Sequence, residues 1–122
     1  MPYKLLVIDD EPHIRMLYQE ELELQGYKVA TSDGQEPVLD VVDREKPDLI
    51  VLDIKLGDIS GLDLLQAIRA KEPDLPVVLS SAYESFQHDL KSVVADAYCV
   101  KSVDTSQLLE TISSVLDKNG KK

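Results

Sequence analysis

Leu49-Ile50-Val51-Leu52-Asp53 is an unbroken apolar run closed by a carboxylate. Three other stretches share its form. Leu5-Leu6-Val7-Ile8 leads into Asp9-Asp10, Val77-Val78-Leu79 into Ser80-Ser81, and Tyr98-Cys99-Val100 into Lys101. Short runs without alternation suit strands covered on both faces, as in a parallel sheet. If these runs are neighbouring parallel strands, their polar ends meet on one edge. Open α/β sheets bind ligands at that edge, near the point where strand order reverses.

Helical periodicity fills the gaps between the runs. From about Pro12, the residues Ile14, Leu17, Tyr18 and Leu22 recur at helical spacing, with Pro12 suited to the first turn and Gly26 to the stop. Residues 27–31 read as a second strand. Asp33 is a candidate cap for a helix carrying Val38, Val41 and Val42, which must end before Pro47. After the run at 48–53 comes a loop rich in Gly and Asp at 55–60, then a helix from about Gly61 to Lys71 with Leu62, Leu65 and Ile68 inward. Phe86, Leu90, Val93 and Val94 mark a fourth helix between the runs at 77–80 and 97–100. Asp104 with Gln107 reads as a capping box for a last helix that buries Leu108, Ile112 and Val115 or Leu116. Five β-α units predict an α/β fold. It is flavodoxin-like and doubly wound, a five-stranded parallel sheet of order 2-1-3-4-5 with five helices in three layers.

Composition narrows the function. At 122 residues the chain reads as a single domain, with 118–122 a frayed tail or the start of a linker. A net charge of -10 argues against direct nucleic-acid binding, which needs Lys and Arg to neutralise phosphates. No apolar stretch approaches the roughly 20 residues of a membrane span. The first strand starts almost at once after Met1, which leaves no room for a signal peptide, and one cysteine suits a reducing cytoplasm.

Asp9, Asp10 and Asp53 carry the chemistry. Carboxylates on adjacent strand ends would repel by about 4 kcal/mol per pair at 4 Å and an effective dielectric of 20. Either a proton is retained or a cation is bound. Hard oxygen ligands suit Mg2+ (or Mn2+), which keeps several waters and binds beside phosphate. Taken singly, each acid also reads as a solvated turn residue; three together at strand ends favour the metal. Asp53 is the nucleophile candidate, since carboxylates can attack phosphorus. Lys101 could balance phosphoryl charge on the side away from the metal, and Ser81 could donate to a phosphoryl oxygen. Their plainer readings are a surface lysine and a turn after Leu79.

Together these pieces resemble the receiver domain of bacterial two-component response regulators, chemotaxis-regulator-like, over about residues 4 to 117. The matching pieces are Val7-Ile8-Asp9-Asp10-Glu11, the block from Leu52-Asp53 to Gly61, Ser81-Ala82, and Tyr98-Cys99-Val100-Lys101. The resemblance implies that Asp53 is the phosphorylation site, fed by a histidine kinase or phosphotransfer protein. It implies that Asp10 and Asp53 bind the metal directly, Asp9 through water, and Lys55 through its backbone carbonyl. It implies that Lys101 contacts the phosphoryl group, that Ser81 and Tyr98 switch, and that Lys55 and Tyr83 tune phosphoryl loss. The face formed by the fourth helix, fifth strand and fifth helix would meet an output domain, a partner protein or a second copy in a homodimer.

The chain departs from the family pattern at two points. Ser102 stands where proline usually follows the lysine. A cis bond before serine would cost about 2.5–4 kcal/mol, so a trans bond or a reshaped loop is expected. Gly57 replaces a frequent proline and frees the loop after Asp53. Two other function classes compete. A magnesium-dependent phosphohydrolase with an aspartyl nucleophile commonly carries an acid two residues after it, where this chain has Lys55. A pseudo-receiver used only for docking or dimerisation would not need the acid trio. A dinucleotide-binding domain is excluded because no G-x-G-x-x-G follows the first strand. His13 and His88 fall on helices away from the acid edge, and Cys99 reads as a small core residue.

Overall fold

The apolar runs pair side by side, in parallel, through the centre of the molecule. The computed structural model describes residues 3–56, 59–81, 97–100 and 105–118. Within them the strands are β1 (Lys4–Ile8), β2 (Lys28–Ser32), β3 (Leu49–Asp53), β4 (Lys55–Leu56), β5 (Ile59–Ser60), β6 (Val77–Ser81) and β7 (Ala97–Val100). The helices are α1 (Pro12–Leu24), α2 (Val38–Glu45), α3 (Gly61–Lys71) and α4 (Ser106–Lys118). The main sheet runs β2-β1-β3-β6-β7. With the two-residue strands β4 and β5 set aside, this is the expected order 2-1-3-4-5. The predicted fourth helix lies outside the described residues, as does Asp104 of the expected capping box. None of the described helices is long and apolar enough to cross a membrane.

Alternation along each strand splits the core in two. Leu6, Ile8, Ile50, Leu52, Val77 and Leu79 face α2 and α3, where Val38, Val41, Val42, Leu65 and Ile68 meet them. Leu5, Val7, Leu49, Val51, Val78 and Cys99 face the opposite layer, built from Ile14, Tyr18 and Leu22 of α1 and Leu108, Ile112, Val115 and Leu116 of α4. Both members of the expected Val115-or-Leu116 choice are buried. A fully buried Leu or Ile contributes about 1.5–3 kcal/mol, so a strand covered on both faces is strongly held in register.

The helix ends follow local chemistry, with one correction. Pro12 opens α1, and Gly26 closes it in a left-handed conformation (φ 96°). Gly26 N–H donates to the Glu23 carbonyl at 3.0 Å, and Tyr27 N–H to the Leu22 carbonyl at 3.3 Å. That bond pair is the Schellman stop, which a Cβ would strain. Asp33 does not cap α2. Its carboxylate accepts the Gln35 N–H at 2.9 Å in a local Asx turn, and the helix starts after Pro37. Pro37 takes the N-cap position and has no side-chain acceptor, so the first turn is closed by backbone alone, with the Asp40 N–H donating to the Pro37 carbonyl at 3.1 Å. The two ends of the expected loop at 55–60 pair with each other, Lys55 with Ser60 and Leu56 with Ile59.

Candidate metal centre at the carboxyl edge of the sheet

β1 ends at Ile8, so Asp9 and Asp10 form the turn into α1, while Asp53 is the last residue of β3. β1 and β3 are paired neighbours, with Ile8 opposite Leu52. One carboxylate oxygen from each of Asp9, Asp10 and Asp53 lies within 4.8 Å of the other two. Asp9 and Asp53 are 1% and 3% exposed, and Asp10 is open to solvent. An all-oxygen set with two buried members and one open side fits a hard divalent cation that retains waters.

Asp9 is gripped at three handles. Its N–H donates to the Ser32 carbonyl at 3.0 Å, its Oδ1 accepts the Glu11 N–H at 2.9 Å, and its carbonyl accepts from the Arg15 guanidinium at 2.7 Å. Asp53 is held by its surroundings. It lies opposite Ser80 of β6, and the next residue, Ile54, donates its N–H to the Ser80 carbonyl at 3.1 Å. Gly61, the first residue of α3, presses on this strand end. Its N–H donates to the Ile54 carbonyl, and a Cβ built on it would lie 2.1 Å from the Asp53 carbonyl oxygen. Only glycine fits an approach that close. Ser60 caps α3 by accepting the Asp63 N–H.

Neither Ser80 nor Ser81 is a turn residue, contrary to the plainer reading of the pair. Both belong to β6, and Ser81 pairs with Val100. The Ser80 hydroxyl is buried in the core, 3.5 Å from the Tyr18 hydroxyl of α1. Lys101 and Tyr83 lie outside the described residues, as do Gly57, Ser102 and His88. Lys55 and Tyr98 are placed by their strands, at the start of β4 and within β7. His13 is exposed and sits 3.7 Å from the Glu11 carboxylate. Cys99 is buried, and burial pushes its thiol pKa up while a hydrogen bond with Thr111 pulls the other way. Sequence reasoning missed the roles of Arg15, Gly61 and Tyr18. Arg15 left one signal, a cation near the positive end of a helix.

Comparison with known proteins now decides the family. Residues 5–113 match the model of the response regulator receiver domain. The chain belongs to that family. It is therefore a receiver domain of the two-component response regulators. The receiver is 30% identical to the probable transcriptional regulatory protein TcrX of Mycobacterium tuberculosis, over 98% of this chain and 52% of that one. A second relative, the probable transcriptional regulator ycf27 of Porphyridium aerugineum, is 35% identical over 93% of this chain and 48% of its own. The receiver thus spans about half the length of these curated relatives. Among solved structures it is similar to the response regulator TrrA of Thermotoga maritima in complex with Mg2+ and BeF, with a TM-score of 0.87 and 40% identity over 95% of this chain and all of that one. TrrA in complex with the histidine kinase ThkA gives a TM-score of 0.84 at 39% identity, over 95% of this chain and 99% of that one.

Proposed function

We propose that this receiver takes a phosphoryl group on Asp53 and presents a changed surface to a partner. The convergence of Asp9, Asp10 and Asp53 within 4.8 Å carries the reading. Asp10 and Asp53 would hold Mg2+ (or Mn2+) directly, Asp9 would hold it through water, and the Lys55 carbonyl would complete the protein ligands. A divalent cation bound there supplies charge neutralisation for the phosphoryl oxygens. An Asp53 oxygen forms the new bond to phosphorus as the donor's bond to phosphorus breaks and the leaving group departs with the electron pair. Lys101 balances the charge on the other side, Ser81 donates a hydrogen bond, and Tyr98 follows as the switch. Lys55 and Tyr83 shield the adduct from water and lengthen its life.

The physiological donor is a histidine kinase or phosphotransfer protein. The complex of TrrA with a histidine kinase supports this class of partner. The partner face is the fourth helix, fifth strand and fifth helix of the receiver fold, toward an output domain or a second copy. A net charge of -10 leaves any DNA binding to a separate domain, as the transcriptional relatives of twice the length suggest.

The test is direct. Incubation with Mg2+ and acetyl phosphate should add one phosphoryl group by intact mass, and Asp53→Asn should abolish the adduct. Turnover of many donors without an adduct would instead mark a phosphohydrolase. No adduct and no turnover would mark a docking module. A phosphoryl half-life of seconds would remove the shielding role of Lys55 and Tyr83.

A further inference from the structure

Among the described contacts of Asp9, two come from backbone groups and one from a side chain, that of Arg15. The Ser32 and Glu11 contacts are made by backbone groups and survive side-chain substitution at those positions, proline at 11 excepted. The Arg15 guanidinium reaches back across the first turn of α1 to the Asp9 carbonyl at 2.7 Å, over a separation of six residues. That distance is at the short end of the range for a charge-assisted bond. The location is also unfavourable for a cation, because the N-terminal turn of a helix carries partial positive charge. Arg15 is half-buried there, beside a residue that is 1% exposed. A cation kept at the wrong end of a helix and aimed at a backbone carbonyl has a positioning geometry. Asp10 is the next residue, so the peptide that Arg15 fixes is the one that aims the Asp10 carboxylate.

We infer that Arg15 is a positioning residue for the cation pocket, holding the Asp9–Asp10 peptide so that the acid trio is preorganised for a divalent ion. This rests on the reading of the trio as a metal site. Partners one step out from metal ligands commonly change metal affinity by 10–100-fold when removed. The purely electrostatic alternative has the opposite sign. As a bare positive charge near three carboxylates, Arg15 would repel Mg2+, and its removal would tighten binding. As a clamp, its removal weakens binding.

The experiment uses the full chain as wild type, Arg15→Met, which keeps stem length without charge or donors, and Arg15→Lys, which keeps the charge and one donor direction. Mg2+ alone is titrated by calorimetry, and initial rates with acetyl phosphate are taken across Mg2+ concentrations. Arg15→Met should weaken Mg2+ binding about tenfold, and Arg15→Lys should fall between it and wild type. At saturating Mg2+ the phosphorylation rate of both variants should return to within about twofold of wild type, because the chemistry of Asp53 is untouched. A thermal melt without metal checks folding. If Arg15→Met does not fold, Arg15→Lys alone decides: unchanged or tighter Mg2+ binding overturns the clamp. Unchanged or tighter binding in folded Arg15→Met overturns it as well. If wild type itself binds no Mg2+, the metal reading of the pocket fails, and this inference falls with it. Wild type that binds Mg2+ alongside an Arg15→Met that binds equally well sinks the clamp alone.

Discussion

The two edges of the main sheet treat charge in opposite ways. At the amino edge, opposite charges pair. Lys4 Nζ meets the Glu45 carboxylate at 2.7 Å, the Asp48 carboxylate accepts the Lys4 N–H at 2.8 Å, and nearby Lys71 joins α3 to Asp43 of α2. At the carboxyl edge, three carboxylates crowd within 4.8 Å of one another, two of them buried. The same strands, packed on the same core, supply both ends. The difference separates an edge whose charges pair from one whose charges repel; on the proposed reading, the second gives up local stability for a site that a divalent ion completes.

The largest effect expected at the carboxyl edge comes from Gly61. Replacement by Ala puts a methyl group 2.1 Å from the Asp53 carbonyl, where only backbone movement can relieve it. Gly61→Ala should destabilise the fold by about 4 kcal/mol or more in urea unfolding, beyond the usual range for overpacking. A loss under about 1 kcal/mol would mean that α3 can withdraw freely from the strand end. Asp53→Asn should do the reverse. In metal-free buffer it should stabilise the protein by about 1–3 kcal/mol, inside the span for a carboxylate pair near 4 Å between water-like and protein-like screening. Saturating Mg2+ should erase or invert that gain, because wild type alone is then stabilised by ligation. A destabilised metal-free Asp53→Asn would erase the contrast between the edges.

The smallest effect belongs to the amino edge. The Lys4 hydrogen bond first, and Arg44 second, hold the Glu45 carboxyl below the usual carboxylate range. A lowered folded pKa contributes stability that is present above the unfolded value and lost as pH falls through the folded one. Glu45→Gln should therefore cost about 0.5 kcal/mol near pH 7, a modest figure because the pair is partly exposed. The difference from wild type should shrink below about pH 4.3. A gap that widened in acid would reverse the assignment.

Much of this contrast was legible in the sequence. Apolar runs closed by Asp9-Asp10 and Asp53 announced parallel strands and a shared acidic edge, because burial on both faces leaves no room for alternation. Pro12 and Gly26 bounded α1 correctly, since their backbone constraints act locally. Asp33 misled because a short carboxylate can serve its own turn as readily as a helix, and Pro37 had already set the start of α2. Arg15 showed only as a cation near the start of α1, while the Gly61 contact and the Tyr18–Ser80 pair were hidden for one reason. Each is a meeting of residues from different elements, and spacing along a chain carries no record of depth across a sheet.

Cys99 is the sole thiol in the sequence and lies buried in β7, at the margin of the main sheet. Among the described elements, β6 and α4 cover it, so a maleimide reaches it when that margin peels from β6 or α4 lifts. Alkylation of the untouched protein is thus a clock for local opening at β7, and it needs no engineered label.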